Sequence, residues 1–354
     1  MLIKVIPTLL NYLLRVNKVF FICSILLSVS LFTACSQKQV PYQASILVFG
    51  TTVNITVYDN SPDRAEKAVY LVEQKFHEFH RQWHAWEQGG IVSKINHAIA
   101  VNKAIEVAPS VKAFILKSQK LTRESLGLFD PGIGQLIALW GFHSENWQGP
   151  PPAKALITDW LSKQPSLLDI YFKDLTLYSH NPHVQLDFGG NAKGLAIDIA
   201  LQQLLEAGIK NALVSIGGDM KGIGSKNGQP WLVGIQDPHK TEQALASIQL
   251  KSGESIVTSG TYQRYFEWKG QHYSHIINPK TGYPADSFAS VTVLHPDATA
   301  ADAAATALLV AGPKEWRKVI QSMQIELAFL IDKDGQFFQT DAMTNRIKLL
   351  DNNR

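Results

Sequence analysis

Apolar and polar positions alternate from Ile46 to Tyr58. That period of two predicts two short strands on either side of the turn Phe49-Gly50-Thr51-Thr52. The period then lengthens. Ala65, Ala68, Val69, Val72, Phe76 and Phe79 recur at helical spacing and predict a helix from Asp63 to about Trp83 with these residues on its buried side. An aromatic loop, Trp83 to Gly90, follows. The pattern next predicts a helix over about 109–125, a helix through Leu136 to Trp140, a surface loop over 143–152 and a helix over 153–163. Strands are expected near 168–172, 175–178 and 183–188. Ala196, Ile197, Ala200 and Leu204 then mark one face of a helix, and Ala212 to Ile216 reads as a buried strand ending in Gly217-Gly218-Asp219. Further β stretches are expected near 230–235, 246–257, 265–278 and 290–295, then helices over 299–311 and 314–323 and a last strand over 325–331. No internal repeat, heptad array or long linker breaks this run. Strands and helices in this mixture predict an α/β (mixed α+β) fold in which mixed sheets are flanked by helices.

The first residues follow a different pattern. Lys4, Arg15 and Lys18 are the only charges before residue 36, and Val19 to Ala34 is an apolar run of 16 residues, short for a membrane span. It ends Leu31-Phe32-Thr33-Ala34-Cys35-Ser36, small residues leading into a cysteine. This resembles a lipoprotein cleavage site, with Cys35 as the lipidated residue. The alternative is an uncleaved anchor helix. The expected division is therefore a signal over 1–35, a polar tether over 36–43 and a domain over 44–354. Either way the domain is expected outside the cytoplasmic membrane, in the cell envelope facing the periplasm.

Charge and cysteine content narrow the chemistry. The chain has 354 residues with 33 basic and 30 acidic side chains. Three of the basic residues fall in the signal, which leaves the remainder balanced. A neutral surface argues against nucleic acid as a partner. The second cysteine, Cys23, also lies in the signal, so the domain has neither a disulfide nor a thiol nucleophile. There is no H-E-x-x-H, no G-x-S-x-G and no Cys/His zinc pattern.

The stretch most suggestive of a ligand is Leu186-Asp187-Phe188-Gly189-Gly190-Asn191-Ala192-Lys193-Gly194. A strand end, a glycine turn and a helix start present free N–H groups, which suit phosphate. Lys193 adds a cation and Asp187 a carboxylate. Together they point to a polyphosphate with a divalent metal, although an ordinary βα turn explains the same residues. The spacing is neither a Walker A loop nor G-x-G-x-x-G. Asp302 and Thr306 stand four apart on the helix expected over 299–311, so their oxygens share one face. Hard oxygens on an exposed helix start suit Mg²⁺, and Asp302 equally suits the helix dipole. His275 ends a strand before a Pro/Gly turn, where a general base can sit, with an ordinary titration near 6.5. Ser259-Gly260-Thr261-Tyr262 offers hydroxyls at a turn, and Trp86 and Phe129 can stack on a flat ring.

Taken together and in order, these blocks resemble the ApbE family of FAD:protein FMN transferases. The blocks are Phe49 to Thr52, Phe129-Asp130-Pro131, Leu186 to Gly194, Ser215 to Asp219, Ser259-Gly260 with His275 to Pro284, and Ala301 to Val310. The resemblance implies a two-lobed fold with FAD in a cleft between the lobes. It implies Mg²⁺ on the pyrophosphate, and transfer of FMN to a threonine or serine of an acceptor protein with AMP leaving. It also implies a lipid anchor in a membrane facing the periplasm. By position, Phe49 (usually Met in the family), Trp86, Leu128, Phe129, Asp130, Asp187, Lys193 and Ile276 would contact FAD. Asp302, Thr306 and the Gly190 carbonyl would hold the metal, and His275 would be the base. The same residues would serve a Mg²⁺-dependent FAD pyrophosphatase. A non-catalytic FAD-binding lipoprotein would need neither Asp302 and Thr306 nor His275.

Overall fold

The computed structural model describes residues 40–144 and 148–350. The signal, with Cys35, therefore lies outside the described residues. In chain order the elements are β1 (Tyr42–Val48), β2 (Thr51–Tyr58), α1 (Pro62–Trp83), α2 (Ile91–Ala100), β3 (Ile105–Glu106), α3 (Pro109–Glu124), α4 (Gly134–Leu139) and α5 (Lys154–Lys163). A 3₁₀ turn over Leu167–Asp169 leads into β4 (Ile170–Lys173), β5 (Thr176–Ser179), α6 (Ala192–Glu206), β6 (Asn211–Ile216), β7 (Asp219–Ile223), β8 (Trp231–Gln236) and β9 (Ala244–Leu250). Then come β10 (Ser255–Gly260), β11 (Tyr265–Trp268), β12 (Gln271–Ser274), β13 (Phe288–His295), α7 (Ala298–Met323), β14 (Leu327–Asp332), β15 (Phe337–Gln339), α8 (Asp341–Thr344) and β16 (Ile347–Leu349).

One antiparallel sheet of eight strands, ordered β1-β2-β6-β7-β10-β13-β14-β15, is the frame. The alternation in β6, where Ala212, Val214 and Ile216 are buried, places every second residue against α1 and α6. Strand β13 is buried on both faces. Val291 and Val293 meet α7, while Leu294 joins Trp231, Val233 and Ile248 from the small sheet β16-β9-β8. The first half of helix α7, through Val310, is enclosed in the core and almost wholly apolar, whereas after the bend Lys314, Glu315, Arg317 and Lys318 face solvent. It bends at Gly312, with φ of 63°, just before Pro313, which explains why the sequence reads as two helices. A third cluster packs α2 and α3 against β4, β5 and the segment through Leu186. The mixed α/β class expected from the pattern is the class observed.

Several local expectations change. Helix α2 was not anticipated, although Val92, Ile95 and Ile99 are buried at helical spacing. Its start is Gly90, which offers no side-chain cap, and a Cβ there would lie 2.4 Å from the Arg81 carbonyl oxygen. Residues 183–188 are not a strand. Only Gln185 forms a bridge, parallel to Ile133. Asn96 replaces the missing neighbour: its Oδ1 accepts from the Leu186 N–H at 2.6 Å and its Nδ2 donates to the Leu186 carbonyl at 3.0 Å. The stretches 246–257 and 265–278 each divide into two strands, and β7 follows the glycine turn at once. Finally, Tyr42 and Gln43 belong to β1 and not to a tether.

Helices α6 and α7 start in backbone contact. A Cβ on Gly194 would lie 2.3 Å from the Ala298 carbonyl oxygen. Asp198 secures the junction by accepting from the Thr299 N–H at 3.2 Å and its hydroxyl at 3.1 Å, and from Lys221 Nζ at 2.7 Å. Gly194→Ala must separate two backbones, because no flexible side chain can give way. We expect it to cost about 1–3 kcal/mol, read as a lower thermal midpoint. An unchanged midpoint would show that this contact relaxes freely.

Candidate active site

The turn before α6 is held from three directions. The Asp187 N–H donates to the Pro131 carbonyl at 2.8 Å, and the Phe188 carbonyl accepts from the N–H groups of Asn191 at 3.0 Å and Ala192 at 2.8 Å. The Asp187 carboxylate accepts from the Gly189 N–H at 2.8 Å and from the Trp86 indole N–H at 2.9 Å. Trp86 is itself placed by His84, whose Nδ1 accepts from the backbone N–H groups of Trp86 at 3.2 Å and Glu87 at 3.0 Å. Two expected site residues far apart in sequence, Trp86 and Asp187, are thus brought together.

Beyond the turn lies a cluster of charges. Lys193 Nζ donates to Asp219 Oδ2 and lies 3.9 Å from Asp302 Oδ1. Asp219 and Asp302 are 1% and 2% exposed. Their other oxygens are satisfied by backbone: Asp219 Oδ1 accepts from the Thr258 N–H at 2.9 Å, and Asp302 Oδ2 from the Gly194 N–H at 3.0 Å. Burial works against the Lys193 charge, but the two carboxylates outweigh burial and the nearby Arg264 guanidinium, and its pKa stands above the ordinary value. Burial pushes the Asp302 carboxyl up to about 6, against the pull of Lys193. The expectation of an exposed helix start is therefore corrected: Asp302 is buried because α6 packs over it.

Thr306 lies one turn further along α7. Its Oγ1 is 3.3 Å from the Ser259 hydroxyl and 3.5 Å from where a Cβ of Gly190 would stand. Gly190, Asp302 and Thr306, expected to share a metal, thus share one neighbourhood. Among the described residues no group of three His, Cys, Asp or Glu side chains could hold a metal ion. The donor set is one carboxylate, one hydroxyl and one backbone carbonyl. All are hard oxygens, and they fit a Mg²⁺ that completes its shell from substrate and water. The raised pKa of Asp302 agrees, since a buried carboxylate in this state gains from a cation.

His275 follows β12. Its backbone N–H and its Nδ1 each lie 3.0 Å from the carbonyl oxygen of Arg264. A carbonyl only accepts, so Nδ1 carries the proton and Nε2 keeps its lone pair. Burial and the Arg264 guanidinium lower the His275 pKa to about 4, with Lys193 adding to the shift. The ordinary titration near 6.5 is corrected: the ring is neutral throughout the neutral range. The Phe142 ring stands edge-on at 6.4 Å.

The remaining expected residues divide. Phe129 touches the site, with its ring 3.2 Å from the Cβ position of Gly190, while Leu128 and Ile276 are buried in the cluster around α7. Phe49 has φ of 61° and packs its ring edge-on against Phe76 at 5.4 Å and Phe79 at 5.8 Å, so much of it belongs to the core. The Asp130 carboxylate is a clamp within the protein. It accepts from the Gly132 N–H at 2.7 Å, the Leu167 N–H at 2.8 Å and the Ser166 hydroxyl at 2.5 Å. Asp219 closes one of the blocks that carry the family resemblance, but its pairing with Lys193 is not among the expectations, and neither is Arg264. For Asp219 the signal was a carboxylate directly after Gly217-Gly218.

The Asp302 pKa gives a test without turnover. Its folded value lies above the unfolded one, so the folded protein binds the extra proton and loses stability as pH rises through about 6. Asp302→Asn still accepts from the Gly194 N–H but does not ionise. In metal-free protein, the difference in thermal midpoint should move in the variant's favour from about pH 5 to pH 8. A difference independent of pH would remove the buried ionisation.

The ApbE family model matches residues 49–331. The FAD:protein FMN transferase of Rhodobacter capsulatus is 36% identical over 307 residues, covering 86% of this chain. The match spans 58% of that relative's length. The FAD:protein FMN transferase of Haemophilus influenzae is 27% identical over 312 residues, covering 86% of this chain and 90% of its own. Among solved structures, the ApbE protein of Thermotoga maritima superposes with a TM-score of 0.80 at 31% identity, covering 87% of this chain and 99% of the other. The apo form of the Pseudomonas stutzeri flavinyl transferase ApbE gives 0.76 at 26% identity, covering 87% and 97%. Matched along most of its length in both sequence and fold, the chain belongs to the ApbE family.

Proposed function

We propose that the protein transfers the FMN half of FAD to a serine or threonine hydroxyl of an acceptor protein, with AMP leaving. The observation that carries this reading is His275, a neutral imidazole with its Nε2 lone pair available beside the Lys193 charge cluster. The relatives named as FAD:protein FMN transferases support the same reaction. The acceptor oxygen forms a new bond to the FMN phosphorus, and the bond from that phosphorus to the oxygen of the AMP phosphate breaks. The hydroxyl proton passes to Nε2 of His275, and AMP departs with the bonding electrons. Lys193 offsets charge on the phosphate oxygens.

Asp302, Thr306 and the Gly190 carbonyl would hold Mg²⁺. When bound, the ion supplies Lewis-acid charge at the pyrophosphate oxygens. Trp86, Phe129, Leu128, Ile276 and the exposed part of Phe49 would line the rings of FAD in a cleft between two lobes, and Asp187 would hydrogen-bond to it. Asp130 would contribute backbone rather than its carboxylate. We further propose that Cys35 is lipidated and anchors the domain to a membrane facing the periplasm. Among the described residues no helix is long and apolar enough to cross a membrane.

His275→Asn separates binding from chemistry. FAD affinity should stay within a few-fold of wild type while transfer to an acceptor falls on the order of 10²–10⁴-fold. At saturating Mg²⁺ and limiting FAD, the wild-type kcat/KM, which reports the free enzyme, should be level from about pH 5.5 to 8 and fall only towards the His275 pKa of about 4. Near-normal transfer by the folded variant would eliminate the base. Measuring AMP release with and without acceptor separates transfer from hydrolysis. For the anchor, Cys35→Ser should move the protein from the membrane to the soluble fraction, and an unchanged distribution would favour an anchor helix.

A further inference from the structure

Asp219 is the first residue after a two-residue turn, Gly217-Gly218, in which both φ angles are positive, 57° and 96°. Glycine takes that pair of angles without strain, so the turn fixes where β7 begins and sets Asp219 opposite Ile216. The ladder between β7 and β10 pairs Met220 with Ile256 and ends there. One step further the Asp219 side chain takes over. Its Oδ1 accepts from the Thr258 N–H at 2.9 Å, and its Oδ2 accepts from Lys193 Nζ.

The hydrogen bond to Thr258 needs an oxygen but no charge, and an amide would make it as well. A carboxylate that is 1% exposed is costly unless it is paired. The charge at position 219 therefore serves Lys193. That lysine has a second carboxylate within reach, because Asp302 Oδ1 lies 3.9 Å from its ammonium. Asp302 Oδ2 already accepts from the Gly194 N–H, so Oδ1 is the oxygen that no backbone group occupies. It is the oxygen best placed to meet a metal ion, and also the one that an unheld ammonium would take. The lysine stem is flexible, and a shift of about 1 Å would bring its ammonium into hydrogen-bond range.

We propose that Asp219 is a positioning residue, which holds the Lys193 ammonium to one side and keeps Asp302 Oδ1 open to a divalent cation. This rests on the metal reading above and adds a residue to it. With Asp219 in place, the ammonium has its own acceptor and stays at the glycine turn suited to phosphate. Without it, the ammonium and the cation compete for one oxygen.

Asp219→Asn keeps an oxygen for the Thr258 N–H and turns a donor towards Lys193. In crystals of the metal-free variant, Lys193 Nζ should lie within hydrogen-bond distance of Asp302 Oδ1. Mn²⁺ binding to FAD-free protein, followed by the paramagnetic resonance of the free ion, should weaken roughly 10- to 100-fold, as when other groups that orient metal ligands are removed. Loss of one negative charge also weakens a cation, so the lysine position is the deciding readout. Asp219→Asn/Lys193→Met removes the competitor together with its holder and should bind Mn²⁺ within a few-fold of wild type, the non-additivity of two residues acting as a pair. If wild type binds Mn²⁺ and Lys193 stays off Asp302 in the Asp219→Asn crystal, the proposal fails alone. It also fails if Asp219→Asn binds Mn²⁺ as tightly as wild type. A double variant that binds no better than Asp219→Asn would show Asp219 acting on the metal directly, which again overturns it. Should Asp219→Asn not fold, the double variant decides: affinity near wild type upholds the proposal, and a 10- to 100-fold loss (roughly, as above) sinks it. If wild type itself binds no Mn²⁺, the metal reading falls and Asp219 with it.

Discussion

The contact of half-buried Lys193 with the buried carboxylates of Asp219 and Asp302 is the constraint on which the site depends. It joins the first turn of α6, the start of β7 and the first turns of α7, the same three elements that Asp198 ties together through Thr299 and Lys221. Charges removed from water must be fully partnered, or the desolvation cost exceeds the attraction. Each carboxylate meets that demand in the same way, with one oxygen towards Lys193 and one towards a backbone N–H. The backbone donors belong to Thr258 and Gly194, so β10 and α6 are held in register by the same contacts. The contact of Gly194 with Ala298 follows, because the Gly194 N–H reaches Asp302 only if the two helix starts touch.

This geometry explains why the chemistry lies at element ends. Asp187 to Lys193 spans the start of α6, Asp219 opens β7, Ser259 is near the end of β10, His275 follows β12, and Asp302 with Thr306 occupies the start of α7. The eight-stranded sheet and α7 form a rigid frame, and the ends projecting from it can be set by a few hydrogen bonds each. Asn96 and His84 are such positioning residues. Each uses a side chain to satisfy backbone groups of an irregular segment, one beside Leu186 and one beneath Trp86. Without them these segments would present unpaired donors to the interior.

The sequence pattern revealed whichever features were local. Helix α1 was expected over 63–83 and is found over Pro62–Trp83, because Ser61 caps it and its apolar stripe is unbroken. The i, i+4 spacing of Asp302 and Thr306 placed them on one face of α7. What stayed hidden depended on partners distant in the chain. The segment 183–188 alternates like a strand, and Val184, Leu186 and Phe188 are buried as a strand would have them, yet Asn96 takes the hydrogen bonds of the missing neighbour. Asp130 reads as a loop acid free to meet a ligand until Ser166 and Leu167 fold back onto it. Arg264 carries no local signal at all. Its position beside Gly50 exists only because the β10–β11 connection returns to the β1–β2 turn, more than two hundred residues earlier in the chain.

The cations and the base constrain one another. Burial first, and then the Arg264 and Lys193 cations, disfavour protonation of the imidazole, so His275 stays neutral. The Arg264 carbonyl completes the arrangement by fixing the proton on Nδ1, which leaves Nε2 as the acceptor. In the proposed reaction, bound phosphate would add negative charge near His275 and oppose the cations, so the imidazolium would form more easily than in the empty site and the charge of the substrate would help His275 accept the hydroxyl proton.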